Sequence, residues 1–324
     1  MLTNRCNFHC EYCFAMDFNH AESQPLDLSA DTFSEIIDWL NRKAFPGRIL
    51  HLMGGEPTLH RDFVMFAKTA CEEGFDVAVF SNAATSNAPS YAEQLLERPI
   101  RWIVNVNPPS TRTKELDLNL QQSLSILKQN ATLTFNITPD DPPCEWVIDL
   151  IVEHHLAKRI KVGLVLPTLS HQNQHLTHEE YPKFTEKLVE FAQMCDLFDI
   201  SLEYECGIER CIFTPLQLGI LWKTKSTFNS CCDSILDITP DGRVIYCLPL
   251  ANLRQAHFSG FENYPDAKNW FEDQLNMFRP LGSTPRCHKC HLLKTGICRG
   301  GCMARILGGA NNIPTDSQRK NYVA

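Results

Sequence analysis

The chain has 324 residues, 44% hydrophobic and 21% charged, with a formal net charge of −8. That balance describes a globular protein of one large domain, or a medium domain with a smaller one, and excludes a disordered chain. The Lys and Arg residues form no basic block, and the longest apolar runs are strand-sized, far below the roughly 20 residues that cross a bilayer, which argues against nucleic acid or a membrane as the main partner. No charged n-region with an apolar stretch opens the chain, so the expected location is the cytoplasm.

From Asp31 onward, helical and strand patterns alternate. Phe33, Ile36, Ile37 and Leu40 repeat at helical spacing, with Ser29 as N-cap. Arg48 to Met53 reads as a strand ending in Gly54–Gly55. Phe63, Phe66, Ala67 and Ala70 make a second helical face, and Asp76 to Phe80 a strand ending at Ser81–Asn82. A short helix is expected from Tyr91 to Glu97, then a strand from Trp102 to Val106 ending at Asn107–Pro108–Pro109. Helix Leu116–Lys128, strand Thr132–Thr138, helix Glu145–Ala157 and strand Ile160–Leu166 follow. Thr177 and Glu180 form a capping box before a helix carrying Phe184, Leu188 and Phe191.

Such alternation implies an α/β fold with a parallel sheet covered by helices. Six or so units suit a partial (β/α)6 TIM-type barrel, in which functional residues sit on loops after the strands. After about Cys206 the texture changes: cysteines cluster, turns such as Pro240–Asp241–Gly242 occur, and long helices are fewer. The expected division is residues 1–210 for the partial barrel and 211–324 for a small Cys-rich domain organised by metal.

The chain holds 15 cysteines, many for a compartment where disulfides do not persist, so their clusters point to metal or catalysis. Ten lie in two groups near the chain ends; Cys71, Cys144, Cys195, Cys206 and Cys211 stand apart. In the first group, Cys6, Cys10 and Cys13 lie within eight residues. Thiolates are the usual ligands of iron–sulfur clusters, and three of them leave one iron of a [4Fe–4S] cube open to a ligand. Packing does not explain three thiols on so short a loop.

The Cys6-x3-Cys10-x2-Cys13 spacing, with Tyr12 just before the last cysteine, resembles the signature of the radical S-adenosylmethionine superfamily. The resemblance implies that S-adenosylmethionine chelates the open iron and is cleaved reductively, with an electron from a donor such as flavodoxin or ferredoxin. The product is a 5′-deoxyadenosyl radical that abstracts a substrate hydrogen. Gly54, Gly55, Glu56 and Pro57 match the segment that binds the methionine amino group in the family: glycines admit close backbone approach, and Glu56 offers an acceptor. Ser81, Asn82 and Asn107 occupy strand ends where relatives contact ribose or substrate; they are equally good turn residues. Relatives carry a full first strand before the Cys loop. Here only Met1 to Arg5 precede Cys6, so that strand is expected to be very short or to begin before this chain. No catalytic acid, base or nucleophile is identified, since the cofactor carries the hard chemistry.

The second group reads Cys232-x9-Gly242-x4-Cys247, then Cys287-x2-Cys290-x7-Cys298-x3-Cys302. By itself it suits a zinc ribbon as well as iron–sulfur. The Pro-Asp-Gly turn joins two expected strands, Leu236–Thr239 and Val244–Tyr246. This region resembles the SPASM extension of radical enzymes that modify peptides. The resemblance implies one or two auxiliary clusters, Cys232, Cys247 and Cys302 holding the first and Cys287, Cys290 and Cys298 the second. The third spacing is seven rather than the pattern's five, and no cysteine follows Cys302. Cys231, Cys211 and Cys206 are candidates for the first cluster's fourth ligand, and Asp316 could substitute. Leu248 stands where the sulfatase-maturing branch carries an acidic residue, which disfavours that branch. The implied substrate is a ribosomally made peptide that is crosslinked, oxidised or epimerised. The alternatives are a small molecule, such as a sugar or cofactor precursor, or a non-catalytic zinc-organised binding module.

Overall fold

A computed structural model describes residues 1–15, 26–43, 48–138, 145–169, 173–205, 207–228 and 232–309. Seven strands form one sheet in sequential order: β1 (Ile49–Leu52), β2 (Asp76–Ser81), β3 (Ile100–Asn105), β4 (Ala131–Ile137), β5 (Arg159–Leu164), β6 (Ser201–Tyr204) and β7 (Thr227–Phe228). Every pair along it is parallel. Helices α1 (Ala30–Asn41), α2 (Phe63–Glu72), α3 (Ala88–Leu95), α4 (Lys114–Leu127), α5 (Glu145–Glu153), α6 (Tyr181–Leu197) and α7 (Pro215–Lys223) precede and link the strands. This is the alternating α/β architecture expected. Its seventh strand, only two residues long, is too short to show a period in sequence.

Local chemistry accounts for most element ends. Ser29 caps α1, its side chain accepting from the Thr32 amide. Helix α3 begins at Ala88, earlier than the apolar spacing suggests, because Pro89 is well placed in a first turn. Helix α5 stops at Glu153 rather than Ala157: His155 takes a left-handed φ of 52°, which ends a right-handed helix. Before α6, the Glu180 carboxylate reaches back to the Thr177 amide at 2.7 Å, one half of a capping box.

One hydrophobic core runs through the helices and the sheet. Trp39, Phe63, Phe66 and Leu124 are fully enclosed, as is Val104 on the interior strand β3. Burial on this scale, at roughly 25 cal/mol per Å² of apolar surface, is what holds a parallel sheet together.

The Met1–Arg5 segment is not assigned to a strand, yet it lies where a first strand belongs. The Leu2 amide donates to Met53 O at 2.6 Å, and the Gly55 and Glu56 amides donate to Thr3 O and Arg5 O. Its other side takes up Leu26 to Leu28, through Asn4 N to Leu26 O and Leu28 N to Leu2 O.

The cysteine-rich part carries a three-stranded antiparallel sheet: β8 (Asp237–Ile238), β9 (Arg243–Ile245) and β10 (Ala256–His257). Gly242 makes the expected turn between β8 and β9 with φ +77°, a conformation that favours glycine. Helices α8 (Tyr264–Asn276), α9 (His291–Lys294) and α10 (Met303–Gly309) complete it. It docks on α1, where the Trp39 indole donates to Phe261 O at 3.0 Å and meets Phe258 edge-on.

Candidate functional site

The loop with Cys6, Cys10 and Cys13 lies beyond the carboxyl ends of the parallel strands, next to Asn82 after β2 and Asn107 after β3. The three cysteines are partly buried, and their thiols act on one another electrostatically. Burial above all, then Glu56 and the other two thiols, pushes the Cys6 thiol up to about 12. Burial raises Cys10 and Cys13 as well. Burial thus favours the protonated thiols, and a metal would bind by displacing their protons.

The glycines of the Gly54–Pro57 segment have a local explanation. A Cβ at Gly54 would stand 2.5 Å from Thr3 O, and one at Gly55 2.3 Å from Arg5 O. Only glycine lets the leading segment lie so close, and that segment runs straight into Cys6. Glu56 is 1% exposed. One carboxylate oxygen accepts from the Thr58 amide, the Thr58 hydroxyl and the Ser81 hydroxyl; the other accepts from the Asn82 amide at 2.7 Å. Glu56 thereby ties the end of β1 to the end of β2, directly beneath the cysteine loop. Burial raises its pKa despite these four bonds.

Asparagines hold the loop from above three strands. The Asn82 amide group donates to Asn7 Oδ1 at 2.8 Å. Asn107 donates to Cys10 Sγ at 3.5 Å and accepts from the Tyr12 hydroxyl. Asn105 donates to the Tyr12 hydroxyl, and Asn136 donates to Asn105. After β5, Asn173 reaches Tyr12 O at 3.3 Å. Ser81, Asn82, Asn107 and Tyr12, all singled out in sequence, thus converge here. Asn105, expected in a strand-end segment lining the substrate groove, instead supports Tyr12; Asn7, Thr58, Asn136 and Asn173 were not singled out.

A cavity of about 530 Å³ opens beside this loop. Phe14 lines one side of it, and Cys232, Cys247 and Cys302 line another. Between them lie His51, Lys161, Glu203 and Glu205. Lys161 sits 3.7 Å from Glu203 and 3.4 Å from Glu205. Burial, with Lys161 and Arg101 nearby, lowers His51 to about 4, so it is neutral at pH 7. Cys287, Cys290 and Cys298 do not face this cavity. They gather on a separate turn, where Cys290 N donates to Cys287 O and Cys298 N to Leu292 O. Among the described residues, no three His, Cys, Asp or Glu side chains close on a single-ion site. A [4Fe–4S] cube takes its thiolates one per iron, around itself rather than onto one point. Cys144, Cys206, Cys231 and Asp316 lie outside the described residues.

Residues 1–116 match the Radical SAM superfamily profile. The N-terminal third of this chain is thus similar to the radical S-adenosylmethionine superfamily. It is 36% identical over 83 residues to an S-adenosylmethionine-dependent nucleotide dehydratase of Selenomonas ruminantium, covering 26% of this chain and 28% of that one. It is 24% identical over 182 residues to a GTP 3′,8-cyclase of Haemophilus influenzae, covering 50% of this chain and 52% of the cyclase. The chain thus spans about a quarter to a half of the length of these relatives. Its fold is similar to that of anSMEcpe solved with bound AdoMet, with a TM-score of 0.65, 17% identity and coverage of 93% and 84%. It is also similar to that of Streptococcus suis SuiB bound to precursor peptide SuiA, with a TM-score of 0.62, 17% identity and coverage of 93% and 70%.

The residues present fit the cofactors of a radical S-adenosylmethionine protein. Three thiols share one loop, a set that leaves a fourth iron free for S-adenosylmethionine. Beside them, the strand-end backbone of Gly54 to Glu56 is held in place by Thr58, Ser81 and Asn82. Among the described residues, no helix is long and apolar enough to cross a membrane.

Proposed function

We propose that this radical S-adenosylmethionine protein modifies a ribosomally made peptide by hydrogen abstraction, leading to a crosslink, an oxidation or an epimerisation. The observation that carries the reading is the cavity shared by Phe14, next to Cys13, and the Cys232, Cys247 and Cys302 thiols. A substrate placed there lies between two sets of cysteines. In support, SuiB, of similar fold, was solved with a precursor peptide.

With its cofactors bound, the site supplies a 5′-deoxyadenosyl radical, made from S-adenosylmethionine with one electron from a donor such as flavodoxin or ferredoxin. The chain's own residues do the rest. Cys6, Cys10 and Cys13 would hold the cluster, and Asn82 and Asn107 fix the loop that bears them. Gly54 to Glu56 would present a strand edge to the methionine end. Phe14, Phe80 and Phe228 line the cavity and keep water from the reacting carbon. Neutral His51 and the Lys161–Glu203–Glu205 group offer hydrogen-bond partners that orient a polar substrate. Cys232, Cys247 and Cys302 would hold a first auxiliary cluster, and Cys287, Cys290 and Cys298 a second.

A small-molecule substrate is the second reading. The cavity volume lies in the range of small-ligand sites, and matched relatives are named for nucleotide substrates. One assay separates the two. The reduced, reconstituted enzyme is incubated with short peptides encoded beside its gene, or with nucleotides. A peptide lighter by two hydrogens, together with deoxyadenosine, indicates oxidation or crosslinking. Unchanged mass with deuterium at one α-carbon indicates epimerisation. Deoxyadenosine formed with nucleotides alone overturns the peptide reading. Metal analysis of the same sample tests the zinc alternative: zinc in place of iron, with no S-adenosylmethionine cleavage, would sustain it.

A further inference from the structure

We infer that Cys211 is the fourth thiolate of the second auxiliary site, joining Cys287, Cys290 and Cys298. The inference rests on the auxiliary-cluster reading above. In sequence, Cys211 was a candidate for the first site, and residues 303–324 offered the second site no fourth thiolate. The tertiary structure reassigns it.

Cys211 lies on the turn Arg210–Ile212, between β6 and α7, on the side of the chain that builds the parallel sheet. That turn packs directly onto the two loops that carry the second cysteine set. A Cβ at Gly301 would stand 2.3 Å from Glu209 Oε1 and 2.6 Å from Ser283 Oγ, so these three residues are in contact. Ser283 N donates to Gly300 O at 2.8 Å, which joins the two loops. A Cβ at Gly282 would stand 2.6 Å from Cys287 Sγ, and Gly300 N donates to Cys298 Sγ. The path from Glu209 to Cys287 and Cys298 is therefore continuous contact. Glu209 and the Cys287 and Cys298 thiols all act electrostatically on the Cys211 thiol.

Four thiolates are the usual complement of a [4Fe–4S] cluster. A site closed by Cys211 has no iron left for a substrate, and it lies away from the cavity. Such a centre suits electron transfer. The same ligation would reinforce the packing of the turn after β6 against the tail.

The test uses the full chain with Cys6, Cys10 and Cys13 all changed to Ala, so that only auxiliary iron remains. After anaerobic reconstitution, iron per chain is counted for Cys211→Ala, Cys287→Ala, Cys232→Ala and their pairs. Cys211→Ala should lose as much iron as Cys287→Ala, and the pair no more than either alone. The pair with Cys232→Ala should lose both amounts. Losses that add for Cys211 and Cys287, but not for Cys211 and Cys232, would return Cys211 to the first site and overturn the assignment. If the starting triple variant holds no iron, the auxiliary-cluster reading falls, and this with it. A measurement on the unaltered protein avoids any folding defect of the variants. Cys211, exposed without metal, should be alkylated by iodoacetamide in the iron-free chain. It should be protected after reconstitution together with Cys287, and equal labelling before and after would sink the inference.

Discussion

Between Ile49 and Phe228 the chain builds seven paired strands, whereas from Cys232 to Gly309 it builds three strands of two or three residues. The first region encloses Trp102, Phe63, Leu95 and Leu124 almost completely. The second encloses Tyr246, Phe271 and Met303 as completely, and it gathers six described cysteines, including Cys232 and Cys247. Apolar burial is the force that carries the sheet region. The tail's buried residues, Tyr246 and Phe271 among them, join the same hydrophobic cluster as the sheet, and clusters held by its thiols, if bound as proposed, would add a second source of order. On the proposed reading, one part of the chain is a scaffold that positions the Cys6–Cys13 loop, and the other a cap whose order would draw on its cofactor.

The largest expected effect tests whether the scaffold is independent of its own cysteines. Changing Cys6, Cys10 and Cys13 to Ala should reduce S-adenosylmethionine cleavage to the uncatalysed background, measured as deoxyadenosine. The circular dichroism of the sheet region should stay unchanged; loss of that signal would show that the scaffold also depends on its cluster.

Iron removal sharpens the contrast. With a chelator and reductant, limited proteolysis should cut first within 232–309, leaving a resistant fragment that covers the seven strands. Cuts spread evenly over both regions would break the comparison.

Packing comes next. Trp102 is 2% exposed and meets Phe63 edge-on at 5.8 Å. Trp102→Ala should cost about 3–5 kcal/mol in denaturant melts. Leu292→Ala, 41% exposed in the tail, should stay within about 0.5 kcal/mol.

His51 gives a pH-dependent effect. Its folded pKa of about 4 lies below the ordinary value of 6.5, so folding favours the neutral ring. Its contribution is intact above pH 6.5 and is lost as pH falls from 6.5 towards 4. The loss approaches about 3 kcal/mol at most, less for a ring that is only partly buried. His51→Gln should flatten that part of the profile relative to the parent; parallel profiles would refute the assignment.

The smallest effect concerns the asparagine supports. Asn107→Ala removes a bond to Cys10 Sγ and one to Tyr12. It should weaken iron retention by about 10–100-fold, as loss of an outer support does at metal sites, without unfolding the sheet. Unaltered retention would make Asn107 a turn residue only.

Much of this was legible in the sequence. The strand and helix alternation from Asp31 to Phe191 follows from side-chain periodicity, which is local. The thiol spacing of Cys6, Cys10 and Cys13 states its chemistry by itself, because packing has no use for three thiols on one short loop. Element ends were less legible: β7 is too short for a period, and α5 ends early through the backbone of His155.

The sequence by itself determined the alternating architecture, the three-thiol loop and the presence of a second cysteine group. Only the tertiary structure decided what lies against what. Gly54 and Gly55 admit the backbone of Thr3 and Arg5, fifty residues away. Asparagines from the ends of β2 and β3 and from beyond β5 meet on one loop, and Cys232, Cys247 and Cys302 come to face the same cavity as Phe14. The reason is physical: periodicity and spacing report each residue's nearest neighbours along the chain, while these contacts exist only after apolar burial has assembled the sheet and brought distant strand ends together.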